Sequence, residues 1–415
     1  MHLQSDVCIV GDGAIGKAAA LGFAQAGLKV SLLCAPSSAP KANVAQTDAK
    51  RSAAAVASWD IRVYALNHVS QDLLATLKVW DAMDAARIAP VDAMLVKGGR
   101  GDQGGSAGSL EFDSYGARVG ALAWIVEDRN LNHALDAAIK FAPNLQLVHT
   151  RASRLQVNAA AARIDLENGD TLASSLVIGA DGGQSWVRGQ CDIGIDFRSY
   201  EQRAVVSNFE TEKPHHGVAH QWFTASEGIV ALLPLPGQRV SLVWSAPEAL
   251  ADTLLRESLP ELAARLTELS GHALGRLTPL QPDAIGAFPL SLLRTHAITA
   301  PRVALAGDAA HVIHPLAGHG MNLGFADVAS LLKTVTEREA YRDCGDERVL
   351  ARYARARKED IFLMQLATDG MQRLFGVDFE PLRQIRNLGL NLVNNLPVLK
   401  RRLITHALGK RSPNR

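Results

Sequence analysis

The chain has 415 residues, of which 47% are hydrophobic and 20% are charged, a balance typical of soluble globular proteins with two or three domains. Its 43 Lys and Arg nearly equal its 42 Asp and Glu, so no net positive field favours a nucleic-acid partner. The four cysteines, at positions 8, 34, 191 and 344, form neither a C-x-x-C pair nor a zinc-site spacing, which indicates free thiols in a reducing compartment.

Residues 6–34 predict a strand, a glycine-rich turn, a helix and a second strand, which together make the first βαβ unit of a doubly wound sheet. The turn has the sequence GDGAIG and matches the G-x-G-x-x-G pattern. Its glycines allow a tight turn, a close approach of the backbone to a pyrophosphate, and close packing of helix on strand. The pattern therefore predicts a dinucleotide site that includes Gly11, Gly13, Ala14, Ile15 and Gly16.

The end of the second predicted strand departs from the usual dinucleotide-binding pattern. An acidic residue normally stands there and accepts hydrogen bonds from the ribose hydroxyls. This chain has Cys34 at that position. How the ribose is bound therefore stays open among other residues, the backbone and water.

The segment ahead of the first strand is too short for a secretory signal, and no apolar run approaches the roughly 20 residues of a membrane span. We therefore expect a cytoplasmic protein.

The middle of the chain changes architecture. A helical pattern over residues 60–83 precedes a glycine-rich stretch and a second predicted helix, VEDRNLNHALDAAIKF. The sequence GADGGQSWVR then places Asp181 at a strand end, a pattern that by itself indicates an ordinary Asp-Gly turn. Residues 199–245 alternate apolar and polar side chains, which predicts an antiparallel sheet.

A second cofactor-like segment, VALAGDAAHVIHPLAGHGMNLG, occupies residues 303–324. Asp308 ends an apolar strand, and Gly318, Gly320 and Gly324 stand near the start of the helix that follows. A carboxylate there suits a polyol hydroxyl, while backbone N–H groups and the helix dipole would face an electron-rich ring. These features favour a flavin over a nicotinamide. From about Phe325 onward the pattern is helical.

The three motifs in this order resemble the flavin-dependent aromatic hydroxylases of the para-hydroxybenzoate hydroxylase fold, over essentially the whole chain. Segments such as DIRVYALNHVSQDLLATLKVWDAM and SSLVIGADGGQSWVR are similar to the ubiquinone-biosynthesis hydroxylase branch. The resemblance implies an α/β fold with a Rossmann-like (GR2-type) FAD-binding domain interleaved with an antiparallel-sheet substrate domain. The implied limits are 1–75, 96–190 and 286–345 for the FAD-binding domain, 76–95 and 191–285 for the substrate domain, and 346–415 for a C-terminal helical region.

The resemblance implies an FAD-dependent monooxygenase that hydroxylates an aromatic ring of a ubiquinone precursor through a flavin C4a-hydroperoxide. Its co-substrates would be O₂ and NAD(P)H or another reductant. Two alternatives stay open: a hydroxylase of a small soluble phenol, and a non-catalytic flavoprotein subunit of a quinone-biosynthesis assembly. Because the flavin carries the chemistry, no side chain is assigned as catalytic.

The cofactor contacts implied by the resemblance extend beyond the first glycine turn. They are Asp181 and Gly182 near the diphosphate, Asp308 at the ribityl chain, Arg62 and Arg129 as cations near the FAD, and Pro315, Gly318, Gly320, Met321 and Asn322 around the isoalloxazine. His319 stands beside Pro315 in the flavin-adjacent segment, where the family usually has glutamine. We assign it no proton-transfer role.

The substrate wall is the least constrained expectation. The apolar candidates on the predicted antiparallel sheet are Trp222, Phe223, Leu233 and Trp244, although alternate positions of such strands are more often core. The histidines at 311, 314 and 319, and those at 215, 216 and 220, lack a helical i, i+4 pair with a suitably placed carboxylate. We therefore expect no metal site.

The C-terminal segment combines helical apolar spacing with a basic cluster, Lys400, Arg401, Arg402, Lys410 and Arg411. It favours peripheral contact with a membrane or a quinone-biosynthesis complex as much as a helix that closes the core and ends in a solvated tail.

Overall fold

A computed structural model of the protein describes residues 2–34, 58–98, 108–224, 227–314 and 319–376. Two of the predicted flavin contacts, Pro315 and Gly318, lie outside these ranges, as does the basic C-terminal cluster.

Within these ranges the strands are β1 His2–Val10, β2 Val30–Leu33, β3 Val63–Leu66, β4 Ile88–Val91, β5 Ala93–Gly98, β6 Ser109–Asp113, β7 Ala123–Glu127, β8 Leu145–Val148, β9 Ala152–Val157, β10 Ala162–Leu166, β11 Thr171–Gly179, β12 Ile195–Thr211, β13 Val218–Thr224, β14 Gly228–Leu235, β15 Arg239–Pro247, β16 Leu277–Pro279, β17 Ile285–Thr295, β18 Thr299–Ala300, β19 Val303–Leu305 and β20 His311–Val312. The helices are α1 Ala14–Gln25, α2 His68–Thr76, α3 Ser114–Ala117, α4 Asp128–Lys140, α5 Trp186–Gln190, α6 Glu248–Arg256, α7 Leu259–Leu269, α8 His319–Thr336 and α9 Glu347–Gly376. Short 3₁₀ turns occupy Trp80–Ala82, Ala85–Arg87 and Gly307–Ala309.

The first sheet has a parallel core in the order β19-β11-β1-β2-β8, and α1 crosses over between β1 and β2. The predicted βαβ unit is therefore confirmed. The apolar runs that end β1 (VCIV) and β11 (LVIG) fit strand segments that are buried on both faces. Since β1, β11 and β19 run parallel, the loops after their carboxyl ends meet at one edge, where such folds bind ligands.

The second sheet has nine strands in the order β20-β17-β12-β15-β14-β13-β5-β6, with β16 on β12. All its pairs are antiparallel except β13 with β5, so the alternating pattern of residues 199–245 predicted the sheet correctly. A third sheet has the order β3-β7-β4, and in the sequence β5 and β6 of the second sheet fall between its strands β4 and β7.

The strand pairing corrects the predicted domain limits. The limit at 95/96 cuts through β5, and β6 beyond it also belongs to the antiparallel sheet. The limit at 285/286 cuts β17, which pairs with β12 over most of its length. An apolar pattern identifies a buried strand but not its partner, so the sequence did not show that β6 and β17 pair within the antiparallel sheet.

The helix predicted over residues 60–83 is also corrected. This stretch contains β3, then α2, then a 3₁₀ turn. Asn67 begins α2 by accepting a hydrogen bond from the Ser70 backbone N–H, 3.1 Å, and this N-cap stops the strand.

The described part of the C-terminal region is helical, as predicted, and α9 packs against α8. Among the described residues, no helix is both long enough and apolar enough to cross a membrane.

Candidate flavin site

The glycine turn (residues 11–16) follows β1 and opens α1. Gly11 has φ +111°, and a Cβ there would lie 2.4 Å from the Ala180 carbonyl oxygen. A Cβ at Gly16 would lie 1.9 Å from the Gly11 carbonyl oxygen. Any side chain at either position would collide with backbone, so the turn closes only with glycine.

Gly13 has the opposite surroundings. It is the N-cap of α1, and a Cβ there would meet no atom within 4 Å. No side chain caps the helix, and its first turn carries no acidic residue. The first backbone N–H groups of α1 therefore face open space, which is the arrangement that binds a phosphate.

Ile15 takes part through packing. Its side chain fills the space beside two glycines of the second cofactor-like segment, at 3.3 Å from a Cβ placed on Gly307 and 2.8 Å from one on Gly324. The neighbouring Ala14 is buried. Ile15 thus joins the glycine turn to the distant segment, while the turn's backbone stays available to a ligand.

Cys34 directly follows β2 and is buried. Burial raises the pKa of its thiol to about 11; Asp12 and Asp136 add to this rise, and Lys17 opposes it. Lys17 forms an ion pair of 2.5 Å with Asp136. The expected carboxylate is missing from β2, but charged groups lie nearby.

The Asp308 turn (Gly307–Ala309) follows β19 at the same edge of the sheet. Gly307 and Ala309 are buried, whereas the Asp308 side chain is exposed. The protein around this carboxyl nevertheless displaces enough water to raise its pKa, and His311 and Arg62 act in the opposite direction. The Asp308 carboxylate thus lies in a cleft that solvent can reach, where it is suited to accept hydrogen bonds from a polyol.

Arg62 belongs to this cleft. It is exposed, its backbone N–H is bonded to Asp60, and its guanidinium lies 5.6 Å from the Tyr64 ring centre and 5.4 Å from that of Phe288 on β17. Arg62 therefore packs on β17 of the antiparallel sheet, and its charge opposes the rise in the pKa of the Asp308 carboxyl.

Arg129 lies at the N-terminus of α4. Its backbone N–H is bonded to Asp60, 3.2 Å, and its guanidinium reaches the Ser58 carbonyl oxygen, 3.4 Å. Asp60, which binds the N–H groups of both predicted arginines, is a residue that the sequence reasoning missed. It could have been found as the Asx turn in WDIR.

The Asp181 carboxylate is used within its own loop. It accepts hydrogen bonds from the Ser185 hydroxyl, 2.5 Å, and from the Val187 N–H, 3.0 Å, and so caps α5. Gly182 has φ +83°, and a Cβ there would meet no atom within 4 Å. The open part of this loop is therefore its backbone at Gly182.

Arg188 is a second residue that the sequence reasoning missed. Its buried guanidinium donates to the Gly183 carbonyl, 2.7 Å, and to the Ala309 carbonyl, 2.9 Å. It therefore ties the Asp181 loop to the Asp308 turn across 121 positions of sequence. The helix that carries it, WVRGQ, is only five residues long, and no pattern in it singles out the arginine.

The start of α8 contains the remaining predicted contacts. A Cβ on Gly320 would meet no atom within 4 Å, and Met321 packs against the core. Asn322 is buried: its oxygen accepts from the Asn67 N–H, 2.8 Å, and the Ser70 hydroxyl, 2.7 Å, and its amide donates to the Ala65 carbonyl, 2.7 Å. Asn322 thus holds α8 against β3 and α2. His319 is the first residue of α8, and its side chain lies outside the described part.

The four predicted substrate residues lie on two different faces of the antiparallel sheet. Trp222 and Trp244 pack in the core between the sheet and helices α6 and α7, so their assignment to the substrate wall is corrected. Leu233 lies on the opposite face, the front face, against β3, β4 and β7. Phe223 also lies on the front face, in a smaller cluster near β5 and β6. The period-2 pattern separates two faces but does not say which one a helix covers.

The open glycine backbones, the exposed Asp308 and the uncapped α1 fit a dinucleotide that runs along the carboxyl edge of the parallel sheet. Arg62, which packs on Phe288 of β17, connects this edge to the second sheet. Fold and site therefore define a dinucleotide-binding protein that combines a parallel cofactor sheet with an antiparallel sheet.

Comparisons with known proteins agree. Residues 105–363 match the family model described as "FAD binding domain". The 3-demethoxyubiquinol 3-hydroxylase of Escherichia coli is 34% identical over 409 residues, 98% of each chain. Ubiquinone hydroxylase UbiL of Rhodospirillum rubrum is 34% identical over 407 residues, covering 98% of this chain and 90% of that one.

Two solved structures share the fold. They are pqsL, a probable FAD-dependent monooxygenase from Pseudomonas aeruginosa (TM-score 0.73, 21% identity, 93% of this chain and 99% of that one), and Klebsiella pneumoniae HpxO complexed with FAD and uric acid (TM-score 0.71, 16% identity, 97% of each). The chain is an FAD-dependent monooxygenase, and it belongs to the family of the ubiquinone-biosynthesis hydroxylases.

Proposed function

We propose that the protein hydroxylates an aromatic ring of a ubiquinone-biosynthesis intermediate. The observation that carries this proposal is the near-complete alignment, at 34% identity, with two hydroxylases of the ubiquinone pathway. When bound, FAD supplies the activation of O₂, with NAD(P)H or another reductant as the electron source. The protein's part is to bind FAD, to orient the ring, and to exclude water.

In this proposal the cofactor runs from the glycine turn to the Asp308 turn. The N–H groups of α1 and the backbone at Gly182 face the diphosphate, and Asp308 accepts hydrogen bonds from the ribityl chain. Arg62 lies beside the flavin on the side of the antiparallel sheet. Asp181, Arg129 and Asn322 contribute by shaping the surrounding loops.

An Asp308→Asn variant tests the site. The loss of a charged acceptor costs about 1.5–3 kcal/mol, so we expect the Kd for FAD to rise about 10- to 100-fold. Because the surrounding protein raises the pKa of this carboxyl, its charge is unfavourable in the apo protein, and the variant should unfold no more easily than the wild type. Quenching of flavin fluorescence measures the Kd. An unchanged value would remove Asp308 from the cofactor site.

The substrate ring would lie against the front face. There, the partly exposed side chains of Ala231 and Val243 stand beside Leu233, and the buried Ser241 hydroxyl has no hydrogen-bond partner. An apolar surface with few polar groups suits a prenylated aromatic ring better than a small, highly soluble phenol.

The substrate proposal is tested by quinone profiling of a strain that lacks the gene. We expect an under-hydroxylated precursor to accumulate, and its mass and fragmentation would identify the ring position. An unchanged quinone pool would favour the hydroxylase of a small soluble aromatic. Purified protein that bound no FAD even after FAD was added would contradict the assignment as a flavin-dependent enzyme.

A pair of variants separates the front face from general stability. Val243→Phe places a ring in the proposed substrate space and should raise the KM for the prenylated precursor. Val157→Phe, at an exposed position of β9 in the other sheet, is the matched control and should leave KM unchanged. Equal KM values for the two variants would contradict the assignment of the front face.

Membrane contact is a finer part of the proposal. On α9, Phe362, Leu363 and Leu366 are 51%, 45% and 57% exposed, and the chain then continues toward the basic cluster at residues 400–411. Exposed apolar side chains together with basic residues suit a peripheral contact with an anionic membrane on its cytoplasmic side.

Sedimentation with liposomes containing anionic lipid tests this contact at low salt. We expect binding by the wild type and weaker binding by a Phe362→Ser, Leu366→Ser double variant. A full chain that stays in the supernatant would exclude the membrane contact and leave a protein partner or a solvated tail.

A further inference from the structure

A buried charge cluster lies directly beneath the Asp308 turn. Its centre is Asp327 on α8, which is 0% exposed. One carboxylate oxygen accepts the Gly307 backbone N–H, 3.0 Å, and also contacts His311 Nε2, 2.7 Å. The other accepts from Arg357 Nε on α9, 2.7 Å. The turn, β20 and α9 thus meet at one carboxylate.

The electrostatics keep this carboxylate charged. Burial alone would raise the pKa of Asp327, but the opposing effects of His311 and Arg357 are together larger, and the pKa is lowered. A buried charge that loses one of its partners is strongly unfavourable. The cluster therefore has one preferred arrangement, and the groups bonded to it have little freedom to shift.

The same helix also holds the strand ahead of the turn. The buried Tyr353 hydroxyl on α9 donates to the Leu305 carbonyl of β19, 2.8 Å. Arg357 also donates to the Leu323 carbonyl of α8, 3.3 Å, and to Asp360, 2.9 Å. Gly307 is therefore held on its buried side, and the next residue, Asp308, presents its side chain to the cleft.

We propose that Asp327 is a positioning residue for the cofactor: clamped by His311 and Arg357, it holds the Gly307 N–H and so fixes the turn that presents Asp308. This inference rests on the proposed role of Asp308. It makes the C-terminal helix α9, through Arg357, part of the support of the cofactor site.

The test compares two Asp→Asn variants. Asp327→Asn removes the charge but keeps the size of the side chain. Asp343→Asn breaks the ion pair of 2.8 Å with Arg302, which precedes β19 at the end opposite to the Asp308 turn. The thermal midpoint of the apo protein measures the structural cost of each change, and quenching of flavin fluorescence measures the Kd for FAD.

We expect Asp327→Asn to raise the Kd for FAD about ten-fold or more, and Asp343→Asn to leave it within about two-fold of wild type, whatever each does to the thermal midpoint. At saturating FAD, Asp327→Asn should also change the visible circular dichroism of the bound flavin, which reports its orientation. A Kd and a dichroism spectrum equal to those of the Asp343 variant would overturn the inference.

Should Asp327→Asn fail to fold, His311→Gln decides. It keeps Asp327 paired with Arg357 and retains an N–H donor, and we expect a rise in Kd of about three-fold or more. A wild-type Kd in this variant would overturn the inference. The Asp308→Asn variant distinguishes the two failures: a normal Kd there contradicts the site itself, whereas a raised Kd there with normal values at Asp327 and His311 contradicts only the positioning role.

Discussion

The glycine turn and the Asp308 turn lie at the same edge of one parallel sheet, yet they are built in different ways. The glycine turn is held by backbone packing: Gly11 against Ala180, and Gly16 against Gly11. The Asp308 turn is held by side chains: Asp327 from below, and Arg188 through the Ala309 carbonyl. Steric contacts of the backbone hold the glycine turn, whereas hydrogen bonds with buried charged side chains hold the Asp308 turn.

The difference teaches which kind of change each turn tolerates. A backbone-packed turn has no room for an added atom at its contact points, Gly11 and Gly16, but it depends on no charge. A turn held by buried ions has the opposite sensitivity, since the loss of one partner leaves an uncompensated charge. Ile15 belongs to the glycine turn and packs beside Gly307 of the Asp308 turn and Gly324 of α8. A displacement of one turn can therefore reach the other.

The largest effect should come from adding a methyl group to the glycine turn. In Gly16→Ala the new Cβ would lie 1.9 Å from the Gly11 oxygen, so the strand and helix must separate. We expect a loss of FAD affinity of more than about 100-fold and a lower thermal midpoint of the apo protein. Fluorescence quenching and a thermal melt measure these two quantities.

Gly13→Ala is the matched control. Its Cβ meets no protein atom, so the apo protein should melt at the wild-type temperature. Its methyl group would occupy the space proposed for the diphosphate, and FAD affinity should still fall. Wild-type FAD binding by Gly13→Ala would show that the diphosphate lies elsewhere.

The next largest effect is a loss of stability in acid that arises from His314, close to the Asp308 turn. Burial lowers the pKa of His314 from 6.5 to about 4, with Asp369 opposing the shift. Between those values the unfolded chain binds a proton that the native protein does not, so stability falls as the pH drops from 6.5 to 4. Over this whole pH range, protonation of His314 in the unfolded chain lowers the free energy of unfolding by about 3 kcal/mol.

Urea unfolding at pH 7, 5.5 and 4.5 checks this expectation. His314→Gln should flatten the loss of unfolding free energy toward acid by up to about 3 kcal/mol. His220 on β13, whose pKa burial also lowers to about 4, provides a comparison away from the Asp308 turn. If the free energy of unfolding of His314→Gln depended on pH as that of the wild type does, His314 would not be buried in its neutral form.

The contrast between the turns also explains what the sequence could reveal. The glycine turn has local causes, so GDGAIG predicted its position, its neighbouring strand and helix, and a dinucleotide as its ligand. The Asp308 turn was predicted only in part: GDAAH identified the exposed carboxylate, but its supports, Arg188 and Arg357, lie 120 residues before it and 49 residues after it in sequence. Side chains that meet only in three dimensions leave no spacing pattern.

The antiparallel sheet shows the same limit. Alternation predicted the strands, but Trp222 and Trp244 were assigned to the substrate wall because a pattern of period 2 does not identify the face that α6 and α7 cover. The Asn322 side chain was likewise assigned to the cofactor, because nothing local indicates that residues 65–70 bind it.

The smallest effect is expected from a charge added near the glycine turn. Cys34→Glu restores the carboxylate usual at the end of β2, within electrostatic range of Lys17 but also of Asp12 and Asp136. The partial cancellation of these charges limits the expected gain to a fall in the FAD Kd of about two- to five-fold. Cys34→Gln, similar in size and uncharged, is the control and should bind FAD like the wild type. A weaker affinity for the Glu variant than for the Gln variant would mean that repulsion from Asp12 and Asp136 dominates, and that the ribose is held without a carboxylate from β2.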